Sequence, residues 1–334
     1  MDKVFGFVIL SFFVMSILLV PFIDFLYRMK FQRKAQKTRD VFNKLTPQFD
    51  KMNKWKIGTP FGGGFLIIFV VTILTLWAYG LFPTGVKPWE LFVLLFSFWG
   101  FGALGVYDDL KKIFNEDTFF GIRFKYKFII QWVLALIIGF VMYSQLGYSF
   151  IYIHWIGQIP LGIFYVVFAA FVIVSFVNAF NVTDGLDGLA SGLYVICLIA
   201  FLTISSQSLD VFLELFIAIL LGCVTAFLYF NIWKARIWLG DVGSMSLGAS
   251  LAVIGLLTGK INAVALIGGV FVIEVGSSLI QILGRKYLKR KILPIAPIHL
   301  YFLQRGWEEP KIVMRAWILG LVFAVLGLYI AFSG

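Results

Sequence analysis

Asp108 and Asp109 stand side by side and are followed by Lys111 and Lys112. Asn178, Asn181, Asp184 and Asp187 recur at every third position, and Asp241 lies in WLGDVGS (238–244). Side chains of this kind are hard oxygen donors. They suit magnesium, held through one or two carboxylates and completed by substrate phosphates. No spacing of His and Cys suits zinc. Lys56 opens KIGTPFGGG (56–64) ahead of an apolar stretch. This is no Walker A loop. Its glycines would either expose backbone N–H groups to an anion at a helix start or allow two helices to approach closely. Glu274, Ser278, Gln281 and Arg285 fall at i, i+4, i+7 and i+11, a polar face on an otherwise apolar segment. A glutamate at membrane depth is a functional candidate by default. Each aspartate also has a plainer reading. Asp108 and Asp109 would be helix-end charges in water, Asp184 and Asp187 turn or cap residues, and Asp241 a helix N-cap. Any one of these readings is easy to accept, but all of them together at one membrane boundary are not.

The elements that must position these residues are membrane helices. The chain of 334 residues is 61% hydrophobic and 13% charged, about half the charge of an ordinary soluble domain, and its mean hydropathy is +0.95. Apolar stretches of about spanning length run at 4–27, 60–80, 89–107, 126–146, 160–178, 188–206, 211–230, 243–258, 262–284 and 313–332. A helix needs about 20 apolar residues to cross the hydrocarbon, and long runs without alternation favour helices over a barrel. The expected fold is therefore an all-α integral membrane protein of about ten transmembrane helices, one domain over 1–334 with no internal repeat. The first stretch is too long for a signal peptide and has no small-residue cleavage site, so it reads as a retained helix. Cys197 and Cys223 fall inside predicted helices and imply no disulfide framework.

Charge sets the orientation. All Lys and Arg except Lys3, Lys87 and Lys260 fall in or beside 28–58, 108–127, 231–241 and 285–315, which are alternate connections. The positive-inside rule makes these cytosolic and places both termini outside, with the polar residues gathered in a cytosolic cleft. The net charge of +11 is thus mainly topology. The remainder would attract polyanionic substrates and anionic lipid head groups rather than nucleic acid. The uncharged segment GYSFIYIHWIGQIP (147–160) reads as a short external β-hairpin, with His154 an interfacial residue. Segment 285–307 is basic, then proline-broken, then amphipathic, and suits the inner leaflet surface.

Five motifs then occur in order along nearly the whole chain, from about Gln36 to Ile318. They are KxGTPxxGG (56–64), DDxxK (108–112), NxxNxxDGxDGL (178–189), Asn231 with Asp241 in GDxGS (240–244), and APIH…GWxEPKIVMRxWI (296–318). Together they resemble the polyprenyl-phosphate N-acetylhexosamine-1-phosphate transferases, and within them the phospho-N-acetylmuramoyl-pentapeptide transferase branch. The resemblance implies ten transmembrane helices, magnesium and a homodimer. It implies transfer from UDP-N-acetylmuramoyl-pentapeptide to undecaprenyl phosphate, giving lipid I and UMP. Carried over by position, Asp241 would hold magnesium with Asn181 as second ligand, and Asp108 and Asp109 would serve the attacking lipid phosphate beside Lys112. Lys56, Asp184, Gly185, Leu186, Asp187, Asn231, Trp238 and Gln281 would line the nucleotide side, with Asn178 and the donor-positioning His299 as further substrate-binding residues. The chain departs from the family pattern in several places. It has His299-Leu300-Tyr301 where the family has three histidines, and Leu303 where an acid is usual. Phe61-Gly62 follows GTP, and Trp238 stands where phenylalanine is common. A transferase of N-acetylglucosamine 1-phosphate using the same lipid is the near alternative. A secondary transporter is the distant one, disfavoured by the missing repeat and by polar residues at helix ends rather than midplane.

Overall fold

The computed structural model describes residues 2–33, 56–82, 87–114, 121–153, 155–207 and 210–333. Most of the 28–58 loop and His154 lie outside them. The helices are α1 (Asp2–Arg28), α2 (Gly63–Leu81), α3 (Pro88–Phe114) and α4 (Phe124–Ser144). After strands β1 (Phe150–Ile153) and β2 (Gly157–Pro160) come α5 (Phe164–Thr183), α6 (Leu189–Ser205), α7 (Val211–Asn231) and α8 (Gly240–Leu257). The chain finishes with α9 (Ile261–Ile267), α10 (Gly269–Tyr287), α11 (Ile298–Gln304) and α12 (Glu309–Phe332).

Eight of these are long and apolar enough to cross a membrane; α9 and α10 form a bent pair and α6 is a shorter apolar helix. They account for the ten apolar stretches and make this an all-α, multi-pass membrane protein. One stretch differs in shape from expectation. Residues 262–284 are two helices meeting at 74°, because Gly268 ends α9 and starts α10. A Cβ at Gly268 would overlap the ring of Phe176, so the break admits a side chain of α5. Glycine lets the helix interrupt there. The hairpin forms as read, with Phe150 opposite Pro160 and Ile153 opposite Gly157.

Helix α8 is the axis of the bundle and packs on α2, α3, α5, α6 and α9. All its residues from Val242 to Leu257 are buried. Its small residues make this possible. A Cβ on Gly64 or Gly105 would overlap backbone of Gly243 or of Asp241 and Val242, so α2 and α3 lie directly against α8. Packing of this kind drives helix association where lipid is as apolar as the side chains. The outer helices α1, α4 and α12 are mostly exposed. They turn Ile9, Phe13, Ile17, Phe140, Leu321 and Val325 outward, as a lipid-facing surface requires.

Candidate active site

Helix α3 runs past the expected start of a loop and carries Asp108 and Asp109 in its last turns. Helical spacing sets Lys112 against both, 3.0 Å from Asp108 and 3.6 Å from Asp109. Asp241 is in the first turn of α8, not at its cap. Its two carboxylate oxygens take Lys112 Nζ at 2.8 Å and Lys127 Nζ at 2.6 Å. Lys127, one turn into α4, also lies 3.4 Å from Asp108. The second oxygen of Asp108 accepts the Ile122 N–H at 2.6 Å, and only glycine fits at 121, where a Cβ would overlap that carboxylate. Asp109 accepts the Val242 N–H at 3.2 Å, so a carboxylate from α3 caps the N-terminus of α8. A Cβ at Gly240, whose φ is +73°, would come within 2.6 Å of the same carboxylate. Asn181, at the end of α5, donates to Ser244 Oγ at 2.7 Å and to Asp241 at 3.3 Å.

Among the described residues three carboxylates thus meet two ammonium groups, a formal excess of one negative charge in a mostly buried setting. The amide oxygen of Asn181 accepts no hydrogen bond from the described residues. Hard donors, a negative excess and lysine ammonium groups already resting on both Asp241 oxygens fit a divalent cation. Among the described residues no three acidic or imidazole side chains enclose one point. The donor set therefore suits an ion held by one or two protein oxygens and otherwise by phosphate.

A second cluster is built on the turn between α5 and α6. Lys56, buried, donates to Gly185 O at 3.0 Å and to Glu309 at 2.8 Å, and lies 3.4 Å from Asp187. The Glu309 oxygen that takes Lys56 also accepts the Asp187 N–H at 2.6 Å. Asp187 takes the Ala235 N–H at 2.9 Å and the Trp238 indole N–H at 3.0 Å, so it ties two segments together rather than capping α6. Leu186 is buried beside it. Asn231 accepts from Ser191 Oγ at 2.6 Å and Gly188 N at 3.2 Å and donates to Ile237 O at 3.0 Å. Trp238 faces Lys56 across 5.8 Å and Arg33 across 5.9 Å. Half-buried Asp184 ends α5 between the two clusters. Burial, then the neighbouring Asp241 charge, hold its carboxyl well above the usual range, with Lys56 opposing.

The remaining expected residues sit farther along the chain or deeper in the bundle. Asn178 donates to Gln131 at 2.8 Å and to Val174 O, one turn deeper than Asn181. Gln281 donates to Leu293 O and accepts the N–H groups of Ile292 and Leu293. His299 is buried, with Nδ1 2.9 Å from Glu274, and it makes no capping bond to α11. The polar face of α10 is Glu274, Ser277 and Gln281. Ser277 takes the place expected of Ser278, accepting the Ile298 N–H at 3.1 Å.

Lys127 and Glu309 carry no site signal in the sequence. Lys127 stands in FKYKF, where a lysine among aromatics looks like an interfacial anchor, and Glu309 lies in GWxEP, where an acid beside proline suits a helix start. Of the glycines after Lys56, Gly63 and Gly64 settle as packing residues. Gly63 and Gly64 donate their N–H groups to Trp238 O and Leu239 O at 2.9 and 3.0 Å, so those donors are not available to a phosphate.

Carboxylates and lysines converge at one end of a multi-pass helical membrane bundle, and the family of the chain makes it a membrane transferase. The chain belongs to glycosyl transferase family 4, which matches residues 91–259, a span that holds the Asp108–Asp241 centre. It is similar over nearly its whole length to proteins named phospho-N-acetylmuramoyl-pentapeptide-transferase. That of Geobacillus sp. (strain WCH70) is 35% identical over 97% of this chain and 96% of its own. That of Bacillus pumilus is 35% identical over 99% and 98%, and that of Clostridium perfringens 36% over 98% and 95%.

Proposed function

We propose that this protein moves phospho-N-acetylmuramoyl-pentapeptide from UDP to undecaprenyl phosphate, releasing UMP and leaving lipid I in the membrane. The observation that carries the reading is the Asp108–Lys112–Lys127–Asp241 centre at a membrane boundary, in a chain similar end to end to transferases of that name. An oxygen of the lipid phosphate attacks the sugar-bearing phosphorus of the donor, and the bond from that phosphorus to the bridging oxygen breaks, so the leaving group is UMP. One diphosphate linkage replaces another, so the enzyme's task is to bring two anions together and stabilise their charge. Lys112 and Lys127 balance the phosphates. Asp108 orients the attacking phosphate or takes its last proton. Lys56 and the 184–187 turn hold the nucleotide side. Magnesium, when bound at Asp241 and Asn181, would draw charge from the diphosphate.

The basic connections support a cytosolic site, where a soluble UDP-sugar is available. The resemblance carries a homodimer, which light scattering of the detergent-solubilised protein would test. The deciding assay is incubation of purified protein with undecaprenyl phosphate and each UDP-sugar. UMP release with the muramoyl-pentapeptide donor is expected. Release only with UDP-N-acetylglucosamine would replace this reading by the near alternative.

A further inference from the structure

The Glu274–His299 pair lies outside the carboxylate–lysine centre, yet one edge of it reaches the turn that holds Lys56. Glu274 is buried on the inner face of α10, while Val272 and Ile273 beside it face outward. Its carboxylate meets His299 Nδ1 at 2.9 Å, and both side chains are almost wholly enclosed. The opposite edge of the imidazole touches the 184–187 turn, since a Cβ built on Gly185 would lie 2.5 Å from His299 Nε2. Gly185 is therefore small because the ring is there. The carbonyl of the same residue takes Lys56, so one residue of the turn is flanked by a cation and by Nε2.

We propose that Glu274 is a positioning residue for the donor site. Its carboxylate takes the Nδ1–H of His299 and so presents Nε2 to the diphosphate bound along the Asp184–Asp187 turn. This rests on the reading of that turn as the nucleotide side. The pair is not the sole tie at this point of the chain. The return of the chain from α10 to α11 is already tied by Ser277 to Ile298 and by Gln281 to Ile292 and Leu293. A carboxylate on one ring nitrogen fixes which nitrogen carries the proton and stabilises positive charge on the ring when the other meets an anion. Leu300 and Tyr301 follow His299, so one imidazole serves here where the resembled family has three.

Two measurements test the proposal. The chain holds two histidines, so His154→Gln leaves His299 as the sole imidazole for nitrogen NMR in lipid nanodiscs. The neutral ring is expected to carry its proton on Nδ1. A ring protonated on Nε2 with bare Nδ1 overturns the proposal, and this needs neither substrate nor a destabilised variant. In turnover assays, Glu274→Gln and His299→Gln should each raise KM for the UDP-sugar roughly tenfold or more, as loss of an orienting partner does, with kcat changed less. The double variant should be no worse than His299→Gln alone. Independent effects that multiply, or variants that lower only the thermal midpoint, would show a structural staple instead. If the muramoyl donor is not turned over at all, the function proposed above fails while the NMR result still stands.

Discussion

Asp108 and Asp241 both meet the two lysines, but Asp241 holds them closer, at 2.8 and 2.6 Å against 3.0 and 3.4 Å, so its charge is the one the site can least lose. Asp241→Asn keeps the shape and removes that charge. Folding should persist while turnover falls roughly a hundredfold or more, as loss of a main electrostatic group does. Turnover within a few-fold of wild type at limiting magnesium would show that Asp241 holds no metal. Asp108→Asn should act on kcat as well. Asp109→Asn is expected to cost stability too, because Asp109 holds the Val242 N–H. Lys127→Met removes the ammonium shared by Asp108 and Asp241. It should lower kcat at least tenfold, in line with other charge-stabilising donors, and Lys127→Arg should recover part of it. Asp184 gives a pH test. Its folded carboxyl binds a proton more tightly than the unfolded one, so its contribution to stability falls as pH rises from the ordinary carboxylate range toward the raised value. Asp184→Asn should raise the thermal midpoint of the ligand-free protein at neutral pH and leave it unchanged in acid. A midpoint shift that ignores pH would contradict that sign.

The helices hold these side chains through backbone approach. Gly105 of α3 and Gly64 of α2 bring their helices onto the first turn of α8, where Asp241 sits. Gly105→Val would push α8 away from α3 and separate Asp241 from Lys112. Overpacking of this kind costs about 1–3 kcal/mol, so the melting temperature should fall along with kcat. Retained kcat with only a lowered melting temperature would show that the centre tolerates the displacement. The 178–187 stripe divides in the same way. Asn178 and Asn181 lie on α5, but the helix ends at Thr183, so Asp187 enters a different cluster from the one its spacing suggests.

Across the whole molecule the centre and the Lys56 cluster share one end of the bundle, where α3 and α5 finish and α8 begins. An impermeant thiol reagent applied to intact cells should label cysteines introduced at either terminus and spare one placed in the 28–58 loop. Labelling of that loop would invert the arrangement and remove the site from its soluble substrate. A chelator should abolish turnover reversibly, with activity returning on addition of magnesium. Full activity in excess chelator would dispose of the metal role.

Membrane helices, the hairpin, the uneven distribution of charge along the chain and most of the polar residues that the structure brings into two clusters are legible in the chain itself. Hydrophobic length and basic residues act locally and are read directly from order. Pairings were not legible. That Lys127 meets Asp241 across 114 positions, and Glu309 meets Lys56 across 253, depends on how α8 is surrounded, which no local pattern records. The glycines after Lys56 suited both a phosphate cradle and close packing, and only the hydrogen bonds of Gly63 and Gly64 to the 238–239 carbonyls chose packing. His299 reads as a donor-side residue on a segment suited to the leaflet surface, and only the return of α11 onto α10 shows it buried against Glu274. The sequence determined which groups were present, and the tertiary structure decided which would meet, because a buried charge takes its partner from whatever element packing brings within reach.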